Sequence, residues 1–203
     1  MRRGTPRLAA FLTFAALGLS TAAVSWPAAA NAAASDLLLL DLDNRQVDPF
    51  QASPGVKAFA FLFVSVECPV SNRYAPEIRR MSDAFTARGV AFHLVYPNPA
   101  ESADAIRTHV KEYSLPGGVL RDPRQSLVSF TKATITPEAA VYSAAMQRVY
   151  LGRIDDRYVN IGLERPAATR HDLQDALAAV LTGARISEPT TQAVGCYISD
   201  FAR

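Results

Sequence analysis

From Phe59 to Val66 the chain is apolar except at Ser65, a run of strand length. Directly after it, Cys68-Pro69-Val70-Ser71 opens a segment in which Tyr74, Ile78, Met81 and Phe85 recur at steps of four, three and four, while Arg79, Arg80, Asp83 and Arg88 fall between them. The pattern predicts a strand that feeds one amphipathic helix of about 15 residues, stopped by Gly89. Pro76 lies inside that helix and predicts a kink, because it has no N–H to give the preceding turn.

The alternation continues. Gly89 to Tyr96 is a second apolar run, Pro97-Asn98-Pro99 breaks it, and Ala103, Ile106, Val110 and Tyr113 mark a helix from Ser102 to Tyr113. Leu120 to Pro123 reads as a short link, and Gln125 to Lys132 as a short helix. After Thr136-Pro137, the segments Glu138 to Ala144 and Arg148 to Ile154 resemble two antiparallel strands joined by a hairpin. A proline at a strand entrance is compatible with a cis peptide bond. The last helix runs from His171 to Leu181 and is closed by Gly183, and a tail from Ile186 to Arg203 carries Cys196. Strands alternating with helices, then a hairpin, predict an α/β domain.

The beginning of the chain is of another kind. Arg2, Arg3 and Arg7 precede an apolar stretch from Leu8 to about Val24, and Ala30-Asn31-Ala32 has the small-x-small form of a signal peptidase site. The reading is a signal peptide over 1–32, a domain over 33–184 and a tail over 185–203, with export to the periplasm. An uncleaved anchor is the rival, although Ser20, Thr21 and Ser25 interrupt a stretch already short for a span. Once the leader is removed no transmembrane span is expected. The formal net charge is +2, and the three leader arginines contribute +3 of it. The mature chain is nearly neutral, so charge gives no reason to expect a nucleic-acid partner, and none is expected.

Chemistry centres on Cys68, which a strand delivers to a helix start. Unpaired N–H groups and the positive end of the helix dipole favour a thiolate there. The bland alternative is a small buried core residue. Cys196 is the other cysteine of the chain, and in an oxidising compartment the two have one possible intramolecular pairing. The segment from Ala184 to Cys196 spans at most ~40 Å when extended, which is enough to return across a domain. Such a bond would be either structural or catalytic, and spacing does not separate the two. Copper handling by both thiolates and an imidazole is a rival from another class, but His93, His109 and His171 read as core or surface histidines. A third reading is a scaffold without turnover. Asp155-Asp156 reads as a solvated hairpin exit with local ion pairs. No Gly-rich phosphate loop or metal-ligand cluster appears, so neither a cofactor nor a metal is expected.

The stretch from Glu67 through Cys68, Pro69, Ser71, Arg73 and Pro76 to Glu77, then Thr136-Pro137-Glu138-Ala139, then Tyr150 to Asp155, resembles the redoxin branch of thioredoxin-fold exported bacterial proteins. That branch includes alkyl hydroperoxide reductase/thiol-specific antioxidant and TlpA-type members, and the resemblance covers roughly Leu37 to Gly183. It implies a mixed central sheet flanked by helices, a cis Pro137 facing Cys68, and a Thr136 backbone that hydrogen-bonds an extended or mixed-disulfide partner. The implied activity is thiol–disulfide exchange on protein or small-molecule substrates, with Cys68 as nucleophile and Cys196 as resolving or structural partner. There are departures. Ser71 stands where thioredoxins carry a second cysteine and cannot resolve a mixed disulfide. Leu62 replaces the buried acid, and Glu67 replaces an aromatic residue and opposes the thiolate unless Arg73 turns toward the site. Ser65 fits the hydroxyl position of the peroxiredoxin pattern, Phe61 replaces its proline, and Arg121 or Arg148 would have to supply its arginine.

Overall fold

The computed structural model describes residues 1, 37–51 and 53–199. Apart from Met1, the expected leader and its cleavage site lie outside the described residues.

Eleven short and long strands and five helices follow one another in the described part of the chain. Strand β1 (Leu39–Leu40) and β2 (Gln46–Val47) form an edge hairpin. β3 (Ala58–Phe63) leads to α1 (Pro69–Arg73) and α2 (Ala75–Thr86), and β4 (Val90–Tyr96) to α3 (Ala103–Glu112). β5 (Val119–Arg121) precedes α4 (Ser126–Thr131). Next come β6 (Ile135–Thr136), β7 (Glu138–Ser143), β8 (Arg148–Gly152), the small hairpin β9 (Tyr158–Asn160) and β10 (Leu163–Glu164), α5 (Asp172–Thr182) and finally β11 (Cys196–Tyr197).

The main sheet has seven strands in the order β2-β1-β5-β4-β3-β7-β8. β3 and β5 flank β4 in parallel, whereas β7 and β8 run antiparallel to their neighbours, so the sheet is mixed. Its centre is β3, all six residues of which are buried. Alternation divides them between two cores. Ala58, Ala60 and Leu62 pack with Ile78, Met81 and Phe85 of α2, Ile106 of α3 and Leu173 and Leu177 of α5. Phe59, Phe61 and Phe63 pack on the other side with Phe50, Leu127 and Tyr142.

Three local expectations are corrected. The helix expected as one kinked rod is two, separated at Tyr74, whose N–H bonds the carbonyls of Val70 and Ser71 in a tightened turn. Pro76 falls in the first turn of α2, where a missing N–H costs nothing. The segment expected as a link before Pro123 holds β5, three residues with only Leu120 buried, too short for a periodic signal. Asp155 and Asp156 are 6% and 3% exposed, not solvated. Asp155 accepts from Tyr74 Oη and the Arg157 N–H, and Asp156 accepts from the Thr169 hydroxyl and the N–H groups of Thr169 and Arg170.

Beyond α5, which ends at a left-handed Gly183, the tail returns along the outer edge of β8. Leu151 N–H bonds Pro189 O at 3.0 Å, and Thr191 N–H bonds Leu151 O at 3.1 Å. Gly152 makes this approach possible: a Cβ there would lie 2.8 Å from the Thr191 nitrogen and closer still to its hydroxyl. The covered edge strand is thereby protected from pairing with other chains. The tail then crosses to β6, where Cys196 and Tyr197 pair antiparallel with Thr136 and Ile135.

Candidate functional site

Cys68 lies just past the end of β3 and caps α1, its sulfur accepting from the Ser71 N–H at 3.5 Å. It is 1% exposed. Its S–H donates to the Thr136 carbonyl at 3.0 Å, and the Thr136–Pro137 peptide bond is cis. Cys196 stands opposite Thr136 in the β6/β11 register, and Thr136 Oγ1 donates to the Cys196 carbonyl at 3.3 Å. One carbonyl thus anchors the Cys68 thiol while the same residue's strand edge holds the segment that carries Cys196. Both cysteines are free thiols in this structure.

The two thiols are driven apart in acidity. Burial pushes Cys68 up, but hydrogen bonds from the Ser71 side chain and the Cys196 thiol, and from the backbone N–H groups of both residues, outweigh it and hold Cys68 below its ordinary value. The Ser71 hydroxyl is buried beside the sulfur without a partner at full hydrogen-bond geometry, and a thiolate there would give it one. Cys196 is pushed up to about 11 by its own burial and by the adjacent Cys68 sulfur. Of the two thiols, Cys68 is the one that loses its proton more readily.

The remaining residues singled out from the sequence are placed as follows. Pro69 is exposed at the first helical position, and Glu67 is exposed beside it. Arg73 does not turn toward the sulfur; its guanidinium faces Glu164 at 3.5 Å. Ser65 is not free to act on a bound peroxide, because its hydroxyl donates to Glu101 at 2.6 Å. Arg121 bonds Asn44 and Arg148 bonds the Thr131 carbonyl, so both guanidinium groups are engaged with partners other than Cys68. His109 has both ring nitrogens engaged, by Tyr96 and Asn72, His93 stacks on Phe61, and His171 is exposed at the start of α5.

Three supporting residues have no role assigned to them from the sequence. Glu101, 6% exposed, accepts from Ser65 and from the Val66 N–H at 2.9 Å, and burial pushes its carboxyl up. Asn72 bridges the Val66 carbonyl to His109, fixing the loop that enters Cys68. Glu138 accepts from the N–H groups of Thr134 and Ile135 and so shapes the segment before the cis bond. Glu101 and Asn72 carry no periodic or motif signal; Glu138 stood next to the Thr-Pro pair and its acid so near an apolar strand was the available sign.

No protein-family model and no curated protein matches the chain. Solved structures do. A hypothetical protein from Sinorhizobium meliloti 1021 is 26% identical with a TM-score of 0.68, over 81% of this chain and 91% of that one. A secreted disulfide oxidoreductase of Mycobacterium tuberculosis homologous to E. coli DsbE is 18% identical with a TM-score of 0.52, over 74% and 97%. A thioredoxin-like protein from Aeropyrum pernix is 12% identical, also with a TM-score of 0.52, over 73% and 89%. The chain has the thioredoxin-like fold, the mixed central sheet flanked by helices that the motifs implied.

Proposed function

We propose that this thioredoxin-fold chain is an exported thiol–disulfide oxidoreductase with Cys68 as nucleophile and Cys196 as resolving thiol. The observation that carries the reading is the return of the tail: Cys196 is set opposite Thr136, whose carbonyl holds the Cys68 thiol at 3.0 Å. A nucleophile of lowered pKa beside a protonated partner suits the two steps in turn. Cys68 thiolate attacks a substrate disulfide, forming a mixed disulfide and expelling one substrate thiolate. Cys196 then attacks the Cys68 sulfur, forming Cys68–Cys196 and releasing the second substrate thiolate, which takes the Cys196 proton. The substrate gains two electrons, the protein loses two, and a dithiol reductant resets the pair.

Support for export comes from the leader pattern and from the secreted Mycobacterium neighbour. Among the described residues no helix is long and apolar enough to cross a membrane. Peroxide reduction is the weaker reading, because Ser65 faces Glu101 and the two candidate arginines point elsewhere.

The test is reduction of insulin disulfides by the purified protein with a dithiol reductant. Cys68→Ser should be inactive, and Cys196→Ser should accumulate a mixed disulfide through Cys68. Full turnover by Cys68→Ser would overturn the assignment of the nucleophile, and wild-type turnover by Cys196→Ser that of the resolving thiol.

A further inference from the structure

Cys68 is sealed. The residue is 1% exposed, its sulfur bonded to the Thr136 carbonyl on one side and meeting Cys196 on another. Any substrate sulfur that reaches it must take the place Cys196 holds, so the Cys196 segment must first leave.

How that segment is held indicates what replaces it. Residues 195–199 make few bonds: the two-residue pairing of β11 with β6, Ile198 N–H to Thr134 O at 2.9 Å, Thr136 Oγ1 to Cys196 O, and Gln125 Nε2 to Ser199 O at 2.6 Å. All but the last use the strand edge Thr134–Thr136. Upstream, Thr191 is fixed by Leu151, Arg153 N–H and Tyr150 Oη, so the anchor can stay while 195–199 departs. Departure takes away the tail partners of Thr134 and Thr136, while the Ile135 N–H stays on Glu138, and another extended segment restores the lost bonds.

Gly195 adds a restriction. A Cβ on this residue would come within 2.8 Å of the Thr136 carbonyl carbon and closer still to its oxygen, with Ile135 Cγ2 at 3.1 Å. Backbone lies against backbone there, and a side chain could not be accommodated by a rotamer change.

We propose that residues 195–198 are an internal stand-in for the substrate: the Thr134–Thr136 edge binds an extended polypeptide segment whose disulfide-bonded cysteine is preceded by glycine, and the tail competes for the same register. This rests on the exchange reading above. Occupancy alternates through the cycle. The substrate strand displaces the tail, Cys68 attacks, and the returning tail brings Cys196 to break the mixed disulfide while taking back the edge. Substrate release and closure become one event.

The test uses full-length Cys196→Ser, which cannot resolve, and two peptides, Ala-Val-Gly-Cys-Tyr-Ile and Ala-Val-Val-Cys-Tyr-Ile, each carrying its cysteine as a mixed disulfide with thionitrobenzoate. Attack by Cys68 forms the protein–peptide disulfide and releases coloured thionitrobenzoate. The glycine peptide should react at least about tenfold faster, with free cysteine as a nucleophile showing no preference. Equal rates at Cys68 would overturn the register. Adding Gly195→Val to Cys196→Ser should speed attack on the glycine peptide, because the competitor can no longer dock; an unchanged rate in a variant folded by circular dichroism would overturn competition. Independently of any variant, amides 196–198 of the reduced wild-type protein should exchange at least about a hundredfold faster than those of β3, and equal protection would overturn displacement. If the peptides are discriminated but insulin is not reduced, the exchange reading fails and the groove stands. If insulin is reduced without peptide discrimination, the reverse holds.

Discussion

At the scale of single residues, the site divides labour between groups that differ by one atom. Ser71 occupies the place of a second thiol and cannot resolve a disulfide, yet its hydroxyl and N–H both favour the Cys68 thiolate. Cys196 favours it as well, while its own proton is held firmly. Removing either donor leaves burial less opposed, and burial raises the pKa of a thiol. Ser71→Ala and Cys196→Ala should therefore each move the midpoint of the pH profile for Cys68 alkylation upward and slow alkylation at neutral pH. A small reagent such as iodoacetamide is required, since Cys68 is buried under the tail. A profile that stays in place in both variants would remove the hydrogen bonds as the source of the acidity. Cys68 itself was legible in the sequence because a strand end, a proline and a helix start converge on it. The roles of Arg73, Arg121 and Arg148 were not, because a long flexible side chain is directed by partners distant in sequence: Glu164, Asn44 and Thr131.

Among the elements, those with strong periodicity lie where the pattern puts them, and the exceptions share a cause. β3, β4 and α5 have enough residues for alternation or a 3.6-residue repeat to show. β5 and β11 are three and two residues long, and their pairing is decided by the neighbouring strand, not by their own sequence. The Asp155-Asp156 turn looked solvated because adjacent carboxylates usually are. Instead Asp156 ties the end of β8 to the segment before α5 through Thr169, Arg170 and Arg165. Burial alone would raise its carboxyl, but those donors hold it well below the usual carboxylate range. A depressed carboxylate contributes stability that is full above the unfolded value of about 4 and is lost as pH falls through the folded one. Asp156→Asn should cost about 1 to 3 kcal/mol in urea unfolding at neutral pH. The deficit should narrow in acid, where the wild type has begun to lose the same contribution. A deficit constant with pH would show that shape, not charge, is what the turn needs.

On the scale of the whole molecule, the tail couples redox state to folding. Formation of the Cys68–Cys196 bond would cross-link β3's end to a segment far along the chain, and closing so long a loop stabilises a fold by roughly 4 to 5 kcal/mol in the chain-entropy model. The native tail already sits in place when the thiols are free, so little native order remains to be imposed by the bond. Linkage makes the same free energy appear in the chemistry: a fold stabilised by the disulfide must in turn stabilise the disulfide. With about 30 mV per 1.4 kcal/mol for two electrons, the pair should be ~90 to 105 mV harder to reduce in the folded protein than in the unfolded chain. Guanidinium unfolding of oxidised and reduced protein gives one side of this equality, and glutathione titration of the native and denatured pair gives the other. Values of this size on both sides would place the tail's docking in the native state of both redox forms. A stabilisation and a potential shift both far smaller than these would mean that the bond strains the tail, and that its release helps drive the disulfide onto another thiol.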